Sequence, residues 1–264
     1  MTIAIIGAGA MGEAVMAGLL DSGTSADEVV VAERRPERVA ELNATYGIRC
    51  ASLTEAVSGA SIVFVVVKPQ DVAAVLEEMA GAISADALVI SLAAGLTTQF
   101  IESKLADGIA VARVMPNTPA LVKQGMSAIS AGSACTQEHL DRAEKLLSAI
   151  GRVVVVPESQ QDAVTAISGS GPAYIFYVAE AMYEAGLSLD VEPEVTMELV
   201  LQTIFGAATM LRETGVAPEV LRQRVSSPNG TTVAAINTLD AHGVREAFAA
   251  AMLAAKTRSA ELGA

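Results

Sequence analysis

The chain opens on a stretch that leaves little freedom of fold. An apolar β-branched run, Thr2–Ile6, passes without interruption into Gly7-Ala8-Gly9-Ala10-Met11-Gly12, and a helix-spaced apolar segment, Ala10–Leu20, follows. A strand that reaches a G-x-G-x-x-G turn and reverses into a helix is the context in which this motif binds a dinucleotide. Gly7 permits the tight turn, Gly9 lets the backbone approach a pyrophosphate, and Gly12 lets the helix pack closely on the strand. The helix start then presents unpaired N–H groups to the anion.

The alternation continues. Strands are expected at Val29–Ala32, Ser61–Val67, Leu88–Leu92, Ile109–Val114 and Arg152–Val156, with helices at Pro36–Tyr46, Gln70–Met79, Thr97–Leu105 and Thr136–Ile150. This order predicts an α/β unit with a doubly wound, mostly parallel sheet covered by helices on both faces. The runs Ile62–Val67 and Val153–Val156 are apolar without alternation, as strands covered on both faces are. After Pro157 the pattern changes. No strand is expected from Asp162 onward, only helices at Pro172–Ala185, Glu192–Glu213, Pro218–Arg224, Thr232–Asp240 and Arg245–Leu262, with stops at Gly186, Gly215–Pro218 and Ser226–Gly230. Two domains are therefore expected, 1–156 for a dinucleotide and 157–264 all-helical.

Charge and composition narrow the function. Seventeen Lys and Arg face 30 Asp and Glu, a net charge of −13, which argues against a general nucleic-acid binder. The longest aliphatic run, Ile62–Val67, is far short of the ~20 residues of a membrane span. The N-terminus reads as a strand rather than a secretory leader. Cys50 and Cys135 show no metal or redox spacing, so a reducing cytoplasm is expected. His139 and His242 have too few partners to form a metal site, and none is expected. The segment Val195–Leu211 is apolar on nearly every side and must be buried. It is either the core of its own domain or an interface with a second subunit, and a domain of about a hundred residues favours the interface.

The candidate ligand positions lie at strand ends. Glu33 falls 21 residues after Gly12, where an acid binds the ribose 2′-hydroxyl of NAD. Arg34 and Arg35 follow at once and suit the 2′-phosphate of NADP, although a solvated turn is the plainer reading; the balance favours NADP. The turns Val67-Lys68-Pro69 and Ala93-Ala94-Gly95 also follow strands and should line the same crevice. Lys68 either faces phosphate or ribose, or is an ordinary surface lysine. Met115-Pro116-Asn117-Thr118-Pro119 offers amide and hydroxyl groups at that rim. In the helical half, Ser168-Gly169-Ser170-Gly171-Pro172 and Ser226-Ser227-Pro228-Asn229-Gly230-Thr231-Thr232 each open a helix with hydroxyls and bare N–H groups. Each alone reads as capping. Two of them beside a dinucleotide fold favour a carboxylate site. The sequence shows no nucleophile–base pair. Hydride transfer to an already polarised or protonated acceptor needs none, because the cofactor brings the reactivity and the protein supplies position.

These motifs, in this order, resemble the pyrroline-5-carboxylate reductases over nearly the whole chain. The resemblance rests on Ile5–Gly12, Val67–Pro69, Arg113–Pro119, Asp162–Thr165, Ser168–Tyr174 and Ser226–Thr232. It implies an N-terminal Rossmann domain and a helical C-terminal dimerisation domain that interlocks with a second subunit, as a homodimer or larger homo-oligomer. It implies reduction of 1-pyrroline-5-carboxylate to L-proline by NADPH or NADH, the last step of proline biosynthesis. By position, Gly7, Ala8, Gly9, Ala10, Met11 and Gly12 would hold the pyrophosphate, and Glu33, Arg34 and Arg35 would meet the adenosine ribose. Val67, Lys68, Pro69, Ala93, Ala94, Gly95, Met115 and Asn117 would lie on the nicotinamide side. Ser227, Gly230, Thr231 and Thr232 match the substrate loop, with Thr232 the catalytic candidate, and Glu158 matches an acid near bound proline. Asn229 stands where the family usually has Gly. A β-hydroxyacid dehydrogenase would need a lysine on the helix after Gly171, which reads Pro172-Ala173-Tyr174-Ile175-Phe176-Tyr177. A nucleotide sensor would have no use for the Ser227–Thr232 loop.

Overall fold

The computed structural model describes residues 2–263. Packing groups Met1–Ser170 with Ala255–Ala264 in one unit and Gly171–Ala254 in another. The first unit runs β1 (Ile3–Ile6), α1 (Ala10–Asp21), β2 (Val29–Ala32), α2 (Pro36–Tyr46), β3 (Arg49–Cys50), α3 (Leu53–Val57), β4 (Ile62–Val65), α4 (Pro69–Met79), β5 (Leu88–Ser91), α5 (Thr98–Glu102), β6 (Ala110–Met115), β7 (Gly125–Ala131), α6 (Gln137–Leu147), β8 (Gly151–Val155) and α7 (Gln161–Val164). The second holds α8 (Gly171–Ser188), α9 (Pro193–Thr214), α10 (Pro218–Arg224), α11 (Thr231–Ala241) and the first part of α12 (Val244–Leu262). Packing therefore groups α7 and the end of α12 with the sheet.

The eight strands lie in the order β3-β2-β1-β4-β5-β6-β7-β8. Every pair is parallel except β6 with β7. The order reverses between β1 and β4, which opens a crevice at the carboxyl ends of these strands. Successive residues point to opposite faces, so one apolar run fills two cores. Ile3, Ile5, Ile62 and Phe64 pack with Val15, Met16 and Leu19 of α1 and Leu146 of α6. Ala4, Ile6, Val63 and Val65 pack with Val72, Val75, Leu76 and Met79 of α4. Each fully buried Ile or Phe contributes about 1.5–3 kcal/mol.

Three expectations are corrected. Val153–Val156 is not covered on both faces: Val154 and Val155, which point to opposite faces of β8, are 42% and 48% exposed. Gly186 does not stop a helix but lies inside α8, where a Cβ would collide with Thr196 of α9; the glycine sets how closely the two helices approach. Ser168 and Gly169 are not a loop. They continue α7 as a π-turn over Thr165–Gly169, closed by Ser170 N–H donating to Thr165 O at 2.8 Å. The strands β3 and β7 and the short α3 were not expected. Among the described residues no strand follows β8, as expected, and no helix is long and apolar enough to cross a membrane.

Within the second unit, α8 and α9 pack together at Gly186 and Thr196, and Tyr174 meets Phe248 edge to face with ring centroids 6.5 Å apart. Little else is covered. Only Thr196 and Val200 of α9 are buried, while Leu199, Leu201 and Phe205 are more than half exposed. α9 is thus not the buried core of its own unit.

Candidate active site

The glycine loop is built as its spacing requires. Gly7 has φ +94°, and a Cβ there would lie 2.6 Å from the Val66 carbonyl oxygen. A Cβ at Gly12 would collide with the Gly7 carbonyl. Gly9 differs: nothing lies within 4 Å of the Cβ it lacks. The protein's own packing demands Gly7 and Gly12, whereas the open space at Gly9 suits the approach of a pyrophosphate. Gly9 is also the N-cap of α1, and no side chain caps that helix end. Its first N–H groups are left for an anion. Ala10 is exposed and Met11 half-buried, while Ala8 is buried and bonded through both its N–H and its carbonyl. Its N–H donates to Glu33 Oε2 at 3.1 Å, and its carbonyl accepts from Arg38 Nε at 3.0 Å.

A cleft of about 700 Å³ opens in front of this loop. Gly7, Gly9, Glu33, Arg34, Arg35, Val67 and Lys68 line it. So do Ser52, Gln70, Asp71 and Glu78, which were not foreseen. Ser52 had one sequence signal, a capping box with Glu55 at the start of α3. Pro69 starts α4 and leaves Lys68 as its N-cap. The cations in the cleft differ in their pairing. Arg35 grips Glu33 through Nε and Nη2, both at 3.0 Å. Arg34 reaches Glu78 at 3.4 Å, with its side chain 74% exposed. Lys68 makes no ion pair among the described residues. Glu33 also accepts from the N–H groups of Ala8, Arg34 and Arg35. The Arg35 guanidinium, helped by these N–H groups and opposed by burial, holds its carboxyl down at about 2.

The remaining candidates of this unit lie outside that lining. Ala93 is buried, Ala94 is exposed, and Gly95 has φ +83° with the Leu262 carbonyl beside it. Asn117 spends its amide within the protein: Oδ1 accepts from Met126 N–H at 2.8 Å and Nδ2 donates to the Ser168 carbonyl at 3.1 Å. Met115 is half-buried against Gly169. Glu158 Oε1 accepts from Thr98 N–H at 2.7 Å and from Arg113 Nη1 at 3.2 Å, and Oε2 accepts from Thr98 Oγ1 at 2.7 Å.

In the second unit, Ser227, Gly230, Thr231 and Thr232 come together at the start of α11. Gly230 N–H donates to the Ser227 carbonyl at 2.9 Å, closing a tight turn. Asn229 sits in that turn at φ +59°, a left-handed conformation that Asn tolerates better than most residues. The replacement of the usual Gly therefore keeps the turn. Gly230 is the N-cap of α11, again without a side-chain cap. A Cβ on it would meet Ser227 Oγ at 2.5 Å, so the hydroxyl lies over the bare helix end. Thr231 is exposed and Thr232 half-buried.

Residues 158–262 match the family model described as pyrroline-5-carboxylate reductase dimerisation, and residues 2–95 match one described as NADP oxidoreductase coenzyme F420-dependent. The pyrroline-5-carboxylate reductase of Corynebacterium melassecola is 44% identical over 266 residues, covering 99% of this chain and 98% of the relative. The chain belongs to the pyrroline-5-carboxylate reductase family. The enzyme of that name from Mycobacterium tuberculosis is 42% identical, covering 98% of this chain and 96% of its own length. The solved pyrroline-5-carboxylate reductase of Coxiella burnetii superposes with a TM-score of 0.94 at 35% identity, over 100% of this chain and 98% of that one. This reductase accordingly combines the Rossmann-type sheet with the family's helical dimerisation region.

Proposed function

We propose that this reductase works with NADPH held along Gly7–Gly12 and with its substrate held on the Ser227–Thr232 loop. The reaction is that of the family: 1-pyrroline-5-carboxylate is reduced to L-proline by hydride from NAD(P)H, the last step of proline biosynthesis. The observation that carries the assignment of roles is the pair of uncapped helix starts, at Gly9 and Gly230, each open to an anion. One suits a pyrophosphate and the other a carboxylate. Residues 1–156 thus serve the dinucleotide, and residues 157–264 serve the substrate and the dimer.

The bound dinucleotide supplies the hydride. The chain's own residues bind and orient. Lys68, free of an ion pair among the described residues, is the cation available to phosphate or ribose. Arg34, only loosely held by Glu78, meets the 2′-phosphate, with Arg35 beside it. Val67, Pro69, Ala93, Ala94, Gly95, Met115 and Asn117 shape the nicotinamide side. Ser227 and the N–H groups of Gly230, Thr231 and Thr232 receive the substrate carboxylate. The Thr232 hydroxyl faces the ring nitrogen. Glu158, by position the acid near bound proline, keeps one accepting position on Oε2, since an ionised carboxylate offers about four. The exposed apolar side of α9 is covered by a second copy, giving at least a homodimer, in the cytoplasm.

The test is steady-state reduction of 1-pyrroline-5-carboxylate with each cofactor in turn, for the parent and for Ser227→Ala. A lower KM for NADPH than for NADH, and a raised KM for the imine in Ser227→Ala, are expected. An unchanged imine KM would remove the carboxylate from this loop.

A further inference from the structure

Arg38 is the most heavily engaged cation of the first unit, and the family reaction gives it no task. It stands on the first turn of α2 with its side chain 13% exposed. Its Nε holds the Ala8 carbonyl at 3.0 Å, Nη2 ion-pairs with Glu13, and Nη1 meets Glu41 at 2.6 Å. Tyr46, at the other end of α2, donates its hydroxyl to the second Glu13 oxygen at 2.9 Å. The two peptide groups that flank Ala8 are therefore both held, Gly7–Ala8 by Glu33 on its N–H and Ala8–Gly9 by Arg38 on its carbonyl. The Ala8–Gly9 peptide group also carries the Gly9 N–H, so holding its carbonyl sets where that N–H points.

Glu13 supplies a second reason. It directly follows Gly12 in the first turn of α1. A carboxylate there complements the helix dipole, but it repels any other anion drawn to the same helix end. Burial pushes the Glu13 carboxyl up, while the Arg38 and Tyr46 hydrogen bonds outweigh it and hold the group below the usual value. The acid stays charged, and Arg38 is what cancels that charge.

We propose that Arg38 is a positioning residue for the dinucleotide: it fixes the Ala8–Gly9 peptide and neutralises Glu13, so that the glycine loop accepts a pyrophosphate. This rests on the reading that the dinucleotide lies along Gly7–Gly12. Because the pyrophosphate is common to both cofactors, the effect of Arg38 is blind to the 2′-phosphate.

The experiment is calorimetric titration of NADP⁺ and of NAD⁺ into the full chain, for the parent, Arg38→Met, Arg38→Met with Glu13→Gln, and Gly9→Ala. Circular dichroism checks each fold, and kcat and KM are measured beside the titrations. Arg38→Met weakens both dinucleotides by a similar factor, roughly 10- to 100-fold, with little change in the KM for the imine. Adding Glu13→Gln recovers part of that loss, which a merely structural role for Arg38 would not allow. If folded Arg38→Met binds both dinucleotides like the parent while Gly9→Ala does not, the inference on Arg38 is overturned and the loop reading stands. If Gly9→Ala also binds like the parent, the loop reading falls first. Should Arg38→Met not fold, the double variant, which leaves only the solvent-exposed Glu41 without its partner, tests the hold on Ala8. Parent-like affinity in it would overturn that hold.

Discussion

Glu33 and Arg35 form a fork-to-fork pair at the carboxyl end of β2, with Nε on one carboxylate oxygen and Nη2 on the other, both at 3.0 Å. The acid side chain is 8% exposed and the arginine 56%. Three N–H groups add to the same carboxylate. An acid at this position reads as a ribose ligand in the sequence. Here its oxygens are taken by protein donors, and its geometric task is to hold Ala8. Under the proposed cofactor site, recognition at the ribose falls to the less tightly held cation, Arg34.

Replacing Arg34 and Arg35 together by Gln should raise the KM for NADPH and spare NADH. A charge-assisted contact is worth about 1.5–3 kcal/mol, and the exposure of both guanidinium groups places the effect near the lower end, roughly 10-fold. Initial-rate kinetics with each cofactor decide the point. Equal effects on both cofactors would return Glu33 to the role of ribose ligand.

The same pair predicts a pH dependence of stability. The Glu33 carboxyl is lowered from 4.5 to about 2. A lowered carboxylate stabilises the fold fully above its ordinary value, and that contribution is lost as pH falls through the folded one. Denaturant midpoints should therefore separate the parent from Glu33→Gln above pH 4.5 and converge between pH 4.5 and 2. A difference that stayed constant over this window would show that the pair adds nothing through ionisation.

What the sequence revealed followed the range of the interactions. β1, α1, β2 and α2 were legible because an apolar run, a glycine turn and Pro36 are local signals. β7 was not, because Gly125–Ala131 contains one β-branched residue, Ile129, and owes its strand to pairing with β6 and β8. β3 has only two residues. Val154 and Val155 look like a covered strand in sequence, but coverage depends on what other elements pack over the two faces of the sheet, which the run itself does not reveal. In the site, the glycines and the Ser227–Thr232 turn could be read from spacing. The Arg38, Thr98 and Arg113 contacts could not, since they join residues 25 to 60 positions apart.

Glu158 illustrates the last point. It is the counter-ion of Arg113, which is 7% exposed. Glu158→Gln should destabilise the fold by about 2–4 kcal/mol, since it leaves a nearly buried guanidinium unpaired. Urea midpoints measure this. The imine KM should rise as well, through loss of charge beside the remaining lone pair of Oε2. A stability loss with an unchanged KM would leave Glu158 a purely structural anchor.

Leu201 tests the assembly. It lies on α9 with 53% of its surface exposed, among apolar neighbours that the chain alone does not cover. Leu201→Asp would place an unpaired charge in the apolar contact, at a cost of several kcal/mol. Light scattering should then report the mass of a single chain, with activity lost. A parent protein that is itself a stable, active monomer would rule the interface out.

Thr232 is the residue we propose for the proton step. Its hydroxyl stands one residue into α11, beside the turn that Ser227 and Gly230 close. Reduction converts the ring nitrogen into an amine, so a hydroxyl beside it either orients an iminium or helps deliver a proton to a neutral imine. A threonine hydroxyl is too weak an acid to act alone, but a positioned donor still contributes roughly 10²–10⁴-fold. The two roles separate with pH. Thr232→Val should lower turnover more than it weakens binding, and the defect should grow as pH rises and the iminium becomes scarce. Ser227→Ala should act mainly on KM at every pH, because a carboxylate contact is present in ground and transition states alike. A pH profile of kcat for both variants distinguishes them. A Thr232→Val enzyme with the parent's kcat across that range would remove the hydroxyl from the hydride and proton steps, leaving alignment of cofactor and substrate as the whole of catalysis.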